Sequence, residues 1–279
     1  MQDPYKFEMK GRAFDNGDRL DKVAAGLTAL QHVFDGQFRA LTDKKRLYEQ
    51  DRQLFQARIN QYVDGSFIAY LGLTYTGLQA VLPFVQGAPN IWEATKNAFD
   101  FLKAIHELAH QDKSVEISQD GTGNTAISAG DIHMVFHGPV YQIGTQIIGA
   151  VREMDNLLEG EEVSKISLEG PEEKIVLKLT SDQKGLFQPP TRIEDTPIEL
   201  SCDIFDFNKY EKSGKARVSH NQAIPPGNYR FKNIGGQSVE EFILLMTEPQ
   251  VELNCLIKYQ NDPLTDNNIS EILVMSVVT

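Results

Sequence analysis

Cysteine is nearly missing from this chain: two residues in 279 cannot form a disulfide framework. Cys202 alternates with Ile198, Leu200 and Ile204, and Cys255 with Val251, Leu253 and Ile257, so both thiols are expected to face a core, reduced and inert. An excess of positive charge is missing too. Thirty-nine acidic against 27 basic side chains leave a net charge of −12, which repels polyphosphate at long range and argues against a bulk electrostatic nucleic-acid binder, though not against a local basic patch. The opening residues Met1-Gln2-Asp3-Pro4-Tyr5-Lys6 lack the basic-then-apolar pattern of a signal peptide, so a cytoplasmic protein is expected. No charged residue occurs from Gly65 to Trp92, yet Ser66, Thr74, Thr76, Gln79 and Gln86 interrupt that run. A spanning helix needs about 20 predominantly apolar residues, so a buried strand followed by a buried helix is expected, and a membrane partner is not. Common catalytic signatures are lacking as well: no G-x-S-x-G, no Walker lysine loop, no G-x-G-x-x-G after a strand. Gly121-Thr122-Gly123-Asn124 precedes a strand and reads as a turn.

What is present is an ordinary globular composition, 41% apolar and 24% charged, at a length that fits two domains. Tyr5 to Lys10 alternates as a strand, and after a turn Leu20, Val23, Leu27, Leu30, Phe34, Phe38 and Leu41 recur at helical spacing, with Asp18 placed to cap. The polar stretch Thr42 to Arg52 reads as a loop. Strands follow at Leu54 to Val63 and Ser66 to Leu73, joined through Asp64-Gly65. Helices are expected between Thr74 and Val85, Ile91 and His110, and Pro139 and Leu158, with short strands between Val115 and Phe136 completing the sheet. An acidic helix end and a hairpin around Gly170-Pro171 occupy 153–180, and Pro189-Pro190 marks a linker over 186–197.

Residues 198–279 change texture to all β. Strands are expected at Ile198 to Phe207, Lys215 to Ser219, Asn228 to Lys232, Gln250 to Tyr259 and Ile269 to Val278, with a short helix, Ser238 to Met246, between the third and fourth. The fold class is therefore α+β: an N-terminal α/β domain with a mixed sheet and amphipathic helices over 1–185, then a small five-stranded OB-like or SH3-like β-barrel.

The opening strand, the turn into a long amphipathic helix, the Asp64-Gly65-Ser66-Phe67 strand, the run Ile198 to Asn208, the Ser213-Gly214-Lys215 turn and the final strand together resemble a family of two-domain bacterial proteins met among genes for defence against phage. The resemblance implies an antiviral setting and brings no catalytic residues with it.

Three sets of residues bear on chemistry. His106-Glu107-Leu108-Ala109-His110 is an H-E-x-x-H run, whose histidines one helical turn apart can hold zinc while the glutamate activates water. The helix ends directly afterwards, no glycine and third histidine follow, and Glu153 or Glu159 would have to supply a third ligand; His133 and His137 lie nearby but four apart on a strand. Glu159, Glu161 and Glu162 could gather a cation, though an acidic helix end is more simply solvated. In the barrel, Lys209, Lys212, Lys215, Arg217, Arg230 and Lys232 cluster, interleaved with Phe205, Phe207, Tyr210, Tyr229 and Phe231 and opposed there by Asp206 and Glu211. Cations with aromatics on the second and third strands of an OB-like barrel suit single-stranded nucleic acid or a nucleotide; the simpler reading sends the aromatics to the core. The expectation is a non-enzymatic binding, sensor or scaffold protein, without cofactor, that self-associates or binds a protein partner. A zinc peptidase using His106, Glu107 and His110 is the alternative, and a membrane-perturbing effector acting through Phe67 to Val85 the third.

Overall fold

A computed structural model describes residues 5–63, 66–75, 91–120, 123–170, 174–265 and 268–278. The chain divides into two compact units, residues 1–188 and 189–279. The Asp64-Gly65 turn, the helix expected between Thr74 and Val85 (save its first two residues, which end a strand) and the tip of the hairpin at Pro171 lie outside the described residues.

The first unit begins with β1 (Tyr5–Lys10), a helical turn at Arg12–Phe14, α1 (Leu20–Thr42), α2 (Glu49–Leu54), β2 (Phe55–Val63) and β3 (Phe67–Tyr75). It continues with α3 (Ile91–His110), β4 (Glu116–Gln119), β5 (Thr125–Ala129), β6 (Ile132–Phe136), α4 (Val140–Leu157), β7 (Lys165–Glu169) and β8 (Ile175–Thr180). Five strands form one sheet in the order β2-β3-β1-β7-β8, and every pairing in it is antiparallel. Strand alternation sends Phe7, Met9, Phe67, Ala69, Leu71, Ile166 and Leu168 into the core. There α4 packs against both α1 and α3. At the α1–α4 crossing a Cβ on Gly36 would lie 2.6 Å from the Gln146 carbonyl oxygen, so only glycine permits the approach.

Three local expectations are corrected. The strands between Val115 and Phe136 do not join the main sheet; β4-β5-β6 make a sheet of their own, and β7 takes the place beside β1 with β8 at the edge beyond it. Alternation marks a strand without naming its partner, and β1 pairs with β7 from Lys6↔Glu169 to Lys10↔Lys165, far apart in sequence. The cap position of α1 is held by Arg19, which bonds Asp21 at 2.7 and 3.1 Å, and not by Asp18. Within Thr42 to Arg52 the chain forms the start of α2, where the Asp51 carboxylate accepts from the Tyr48 N–H at 2.9 Å. Six residues are too few for apolar periodicity to reveal such a helix.

On the sheet face opposite the helices, Glu8 is 3% exposed and lies 2.8 Å from Lys165 and 3.4 Å from both Lys6 and Lys10. Burial would push its carboxyl up, but the Lys165 hydrogen bond and the three ammonium charges outweigh this and hold it below the usual carboxylate range.

The second unit contains β9 (Thr191–Ile193), β10 (Ile198–Asn208), β11 (Ser213–Val218), β12 (Gly227–Asn233), α5 (Val239–Leu245), β13 (Val251–Gln260) and β14 (Asn268–Val278). The order β10-β11-β12-β14-β13 closes through a β10–β13 pairing, and β9 adds to β13 outside the barrel. The third and fifth barrel strands, β12 and β14, run parallel. A helix between the third and fourth strands completes the order of an OB barrel. Leu200, Cys202, Ile204, Ala216, Val218, Phe231, Leu253, Cys255, Ile257 and Val274 fill the interior. Phe242 of α5 enters it, stacking on Phe207 at 5.0 Å and Phe231 at 5.6 Å. Burial pushes both Cys202 and Cys255 up to about 12.

Candidate functional site

Period-2 alternation decides which barrel residues reach solvent. On β11, Lys215 and Arg217 are exposed while Ala216 and Val218 are buried; on β12, Asn228, Arg230 and Lys232 are exposed and Phe231 is buried. The register sets Lys215 opposite Arg230, Ser213 opposite Lys232 and Arg217 opposite Asn228. On the other side β10 sets Asp206 opposite Lys215 and Asp203 opposite Arg217. The strands come this close because residue 214 is glycine: a Cβ there would lie 2.1 Å from the Asp206 carbonyl oxygen and 2.8 Å from the Phe231 ring.

These strands form one side of a concavity of about 790 Å3 lined by Asp206, Asn208, Glu211, Ser213, Lys215, Arg230, Lys232 and Glu271. Lys215 lies 3.8 Å from Asp206. Arg217 stands beside the concavity, where its Nε donates to the Asn228 side-chain oxygen at 3.2 Å and its guanidinium lies 5.8 Å from the centre of the Phe205 ring. Lys209 and Lys212 belong to the β10–β11 turn, which Asn208 organises by accepting from the Tyr210 N–H at 3.0 Å. Lys209 sits 5.1 Å from the centre of the Tyr210 ring.

The basic cluster is thus divided: Lys215, Arg230 and Lys232 converge on the concavity, and Lys209, Lys212 and Arg217 do not line it. The aromatic platform is smaller than the interleaving suggests. Phe231 is in the core, Phe207 stacks on it at 6.1 Å, and Tyr229 packs from the inner side and donates its hydroxyl to the Pro225 carbonyl at 2.8 Å. Phe205 and Tyr210 remain exposed. Three carboxylates, Asp206, Glu211 and Glu271, face the three cations. Glu271 was invisible to sequence reasoning, because the parallel β12–β14 pairing alone brings Ile272 beside Phe231.

The H-E-x-x-H residues are engaged elsewhere. His106 is fully buried, its Nδ1 donates to the Leu102 carbonyl at 2.9 Å, and its Nε2 lies 3.5 Å from the Arg152 guanidinium. A fixed cation at that nitrogen competes with a metal ion for the same lone pair. His110 is exposed and donates from Nε2 to the carbonyls of Leu186 at 3.0 Å and Gln188 at 3.2 Å. Arg152 Nε donates to the Phe187 carbonyl at 2.8 Å, and Asp155 accepts from the Gly185 N–H at 2.9 Å. Together these side chains hold residues 185–188 against the helices. Glu107 is exposed, 3.8 Å from Lys103. His133 meets Ser128 at 3.2 Å and His137 meets Asn124 at 3.3 Å. Glu159 pairs with Lys22 at 2.5 Å and Glu161 with Arg12. Among the described residues, no three histidine, cysteine or acidic side chains gather as a metal site, and no helix is long and apolar enough to cross a membrane.

No family model, curated protein or solved structure matches this chain.

Proposed function

We propose that this is a non-enzymatic binding protein whose barrel holds a nucleotide, or a short single-stranded nucleic-acid end, on the outer face of β10, β11 and β12. The observation that carries the reading is the convergence of Lys215, Arg230 and Lys232 on one 790 Å3 concavity, on the strands that OB barrels use for such ligands. Cations there meet phosphate oxygens, and Asp206, Glu211 and Glu271 can accept from the amino and ring N–H groups of a base. A long phosphate chain would run into those three carboxylates, so the mixed charge favours a short ligand over a polymer. The first unit serves as the assembling part: its edge strands leave Ile59, Val63 and Ile175 exposed at 51%, 38% and 50%, which suits a second copy or a protein partner. The setting implied by the resemblance is ligand sensing in a bacterial anti-phage system.

Binding of fluorescent ATP and of a six-residue oligonucleotide, measured at two salt concentrations on wild type and on a Lys215→Glu, Arg230→Glu double variant, tests the ligand. The expected result is saturable nucleotide binding with a component that the double variant loses. Equal binding by both proteins, or none by the wild type, refutes the reading. A monomer mass by light scattering at micromolar concentration would refute self-association.

A further inference from the structure

A second basic concavity, about 500 Å3 in volume, lies within the first unit, where α1, α4 and the chain from 45 to 52 meet. Three pieces of sequence build it. On α1, His32, Asp35 and Arg39 follow one another at three- and four-residue steps and share a face; on α4, Gln146, Gly149, Ala150 and Glu153 do the same. Between them the loop after α1 and the start of α2 bring Lys45, Arg46 and Arg52.

The charges do not cancel. Asp35 is held by Arg52 in a two-pronged pair at 2.5 and 2.6 Å, and Glu153 is held by His32 at 2.9 Å. Arg39, Lys45 and Arg46 are left over, with no ion pair to any described residue. The Nε of Arg39 is shielded from solvent and meets no hydrogen-bond acceptor among the described residues, a costly arrangement for a charged donor unless a ligand supplies one. Arginine is suited to bidentate recognition of phosphate. Gly149 contributes space: a Cβ there would meet no atom within 4 Å. A volume of this size is that of a small-molecule site, in a protein whose overall charge of −12 works against collecting anions by bulk attraction.

We infer that this concavity binds a small molecule through its phosphate or diphosphate group, with Arg39, Lys45 and Arg46 on the phosphate oxygens and Arg52 fixed beside them by Asp35. The inference is independent of the barrel reading.

Calorimetric titration of the full chain with sodium pyrophosphate, at ionic strength fixed with sodium chloride, tests it. Wild type should bind saturably at a site that the barrel substitutions leave intact. Arg39→Gln and Arg46→Glu should each weaken binding by about tenfold or more, as expected for a lost charge-assisted hydrogen bond. Gly149→Leu should abolish binding by filling the space, on a helical surface position where folding is not at risk. The barrel variant Lys215→Glu, Arg230→Glu should bind pyrophosphate as wild type does, which separates failure of one site from failure of the other. The inference is overturned if wild type shows no saturable binding, if the Arg39 and Gly149 variants bind undiminished, or if the barrel variant alone loses binding. A twelve-residue oligonucleotide bound in an Arg46-dependent way, without pyrophosphate binding, would mark a phosphodiester surface and also overturn it.

Discussion

At single residues, two glycines on facing helices predict opposite outcomes for the same substitution. Gly36→Ala places a Cβ 2.6 Å from the Gln146 carbonyl oxygen, and overpacking of this kind costs about 1–3 kcal/mol. Gly149→Ala meets nothing within 4 Å and removes a glycine from a helix interior, a change worth up to about 1 kcal/mol in favour of the helix. Urea unfolding of the two variants should therefore move the midpoint in opposite directions. Glu8 predicts a pH dependence. Its carboxyl is held low in the folded protein by Lys165, Lys6 and Lys10 in spite of its burial. Its stabilising contribution is thus fully present above the carboxyl's unfolded-state pKa and is lost as pH falls through the lower folded value. Glu8→Gln should lower stability at neutral pH by about 1–3 kcal/mol and flatten the acid limb of the stability curve. A steep acid limb retained by the variant would assign that limb to other carboxylates.

At the scale of elements, α5 is a helix of seven residues, far shorter than an isolated helix can be and still form stably in water. Its start is closed by a reciprocal cap, the Ser238 hydroxyl accepting from the Glu241 N–H at 3.2 Å and the Glu241 carboxylate accepting from the Ser238 N–H at 2.8 Å. Since the helix delivers Phe242 to the barrel core, Ser238→Ala should cost the barrel about 1 kcal/mol, read as a lower thermal midpoint. On α3, the pair that looks like a zinc signature makes a different prediction. His106→Ala leaves a cavity and removes one of the partners of Arg152, so unit one should lose about 2–4 kcal/mol, while the zinc content of purified protein, measured by mass spectrometry, stays the same. Zinc bound by wild type and lost in the variant would restore the metal reading.

At the scale of the whole chain, the barrel has a core made entirely of its own residues, from Leu200 to Val274. Residues 189–279 expressed alone should therefore fold and unfold cooperatively by circular dichroism. The fragment must keep Thr191 to Ile193, because β9 pairs with β13 through Ile193↔Lys258 to Thr191↔Gln260. A fragment beginning at Ile198 should be the less stable of the two. Both buried thiols should ignore a thiol reagent at pH 8 until denaturant is added, since neither forms the reactive thiolate in the folded barrel.

Local patterning was enough to locate the barrel strands and the helices α1, α3 and α4, because a face turned to a core leaves a repeat of 2.0 or 3.6 in the order of residues. The same repeat, applied to Ala216, Arg217, Tyr229 and Arg230, already separated the core side of the barrel from its outer side. It could not select strand partners. Whether β1 pairs with β7 or with the strands before α4 depends on long-range packing, which no window of neighbouring residues contains. Both concavities arise at that level. Glu271 reaches the barrel site through a parallel pairing between distant strands. Arg39 and Gly149 share a wall because two helices cross at Gly36. The histidines of α3 show the converse: five residues in a row spelled a metal site, and the surrounding backbone carbonyls and Arg152 made them the clamp on residues 185–188. Residue order carried the chemistry available to this protein, and the tertiary packing assigned each group its partner.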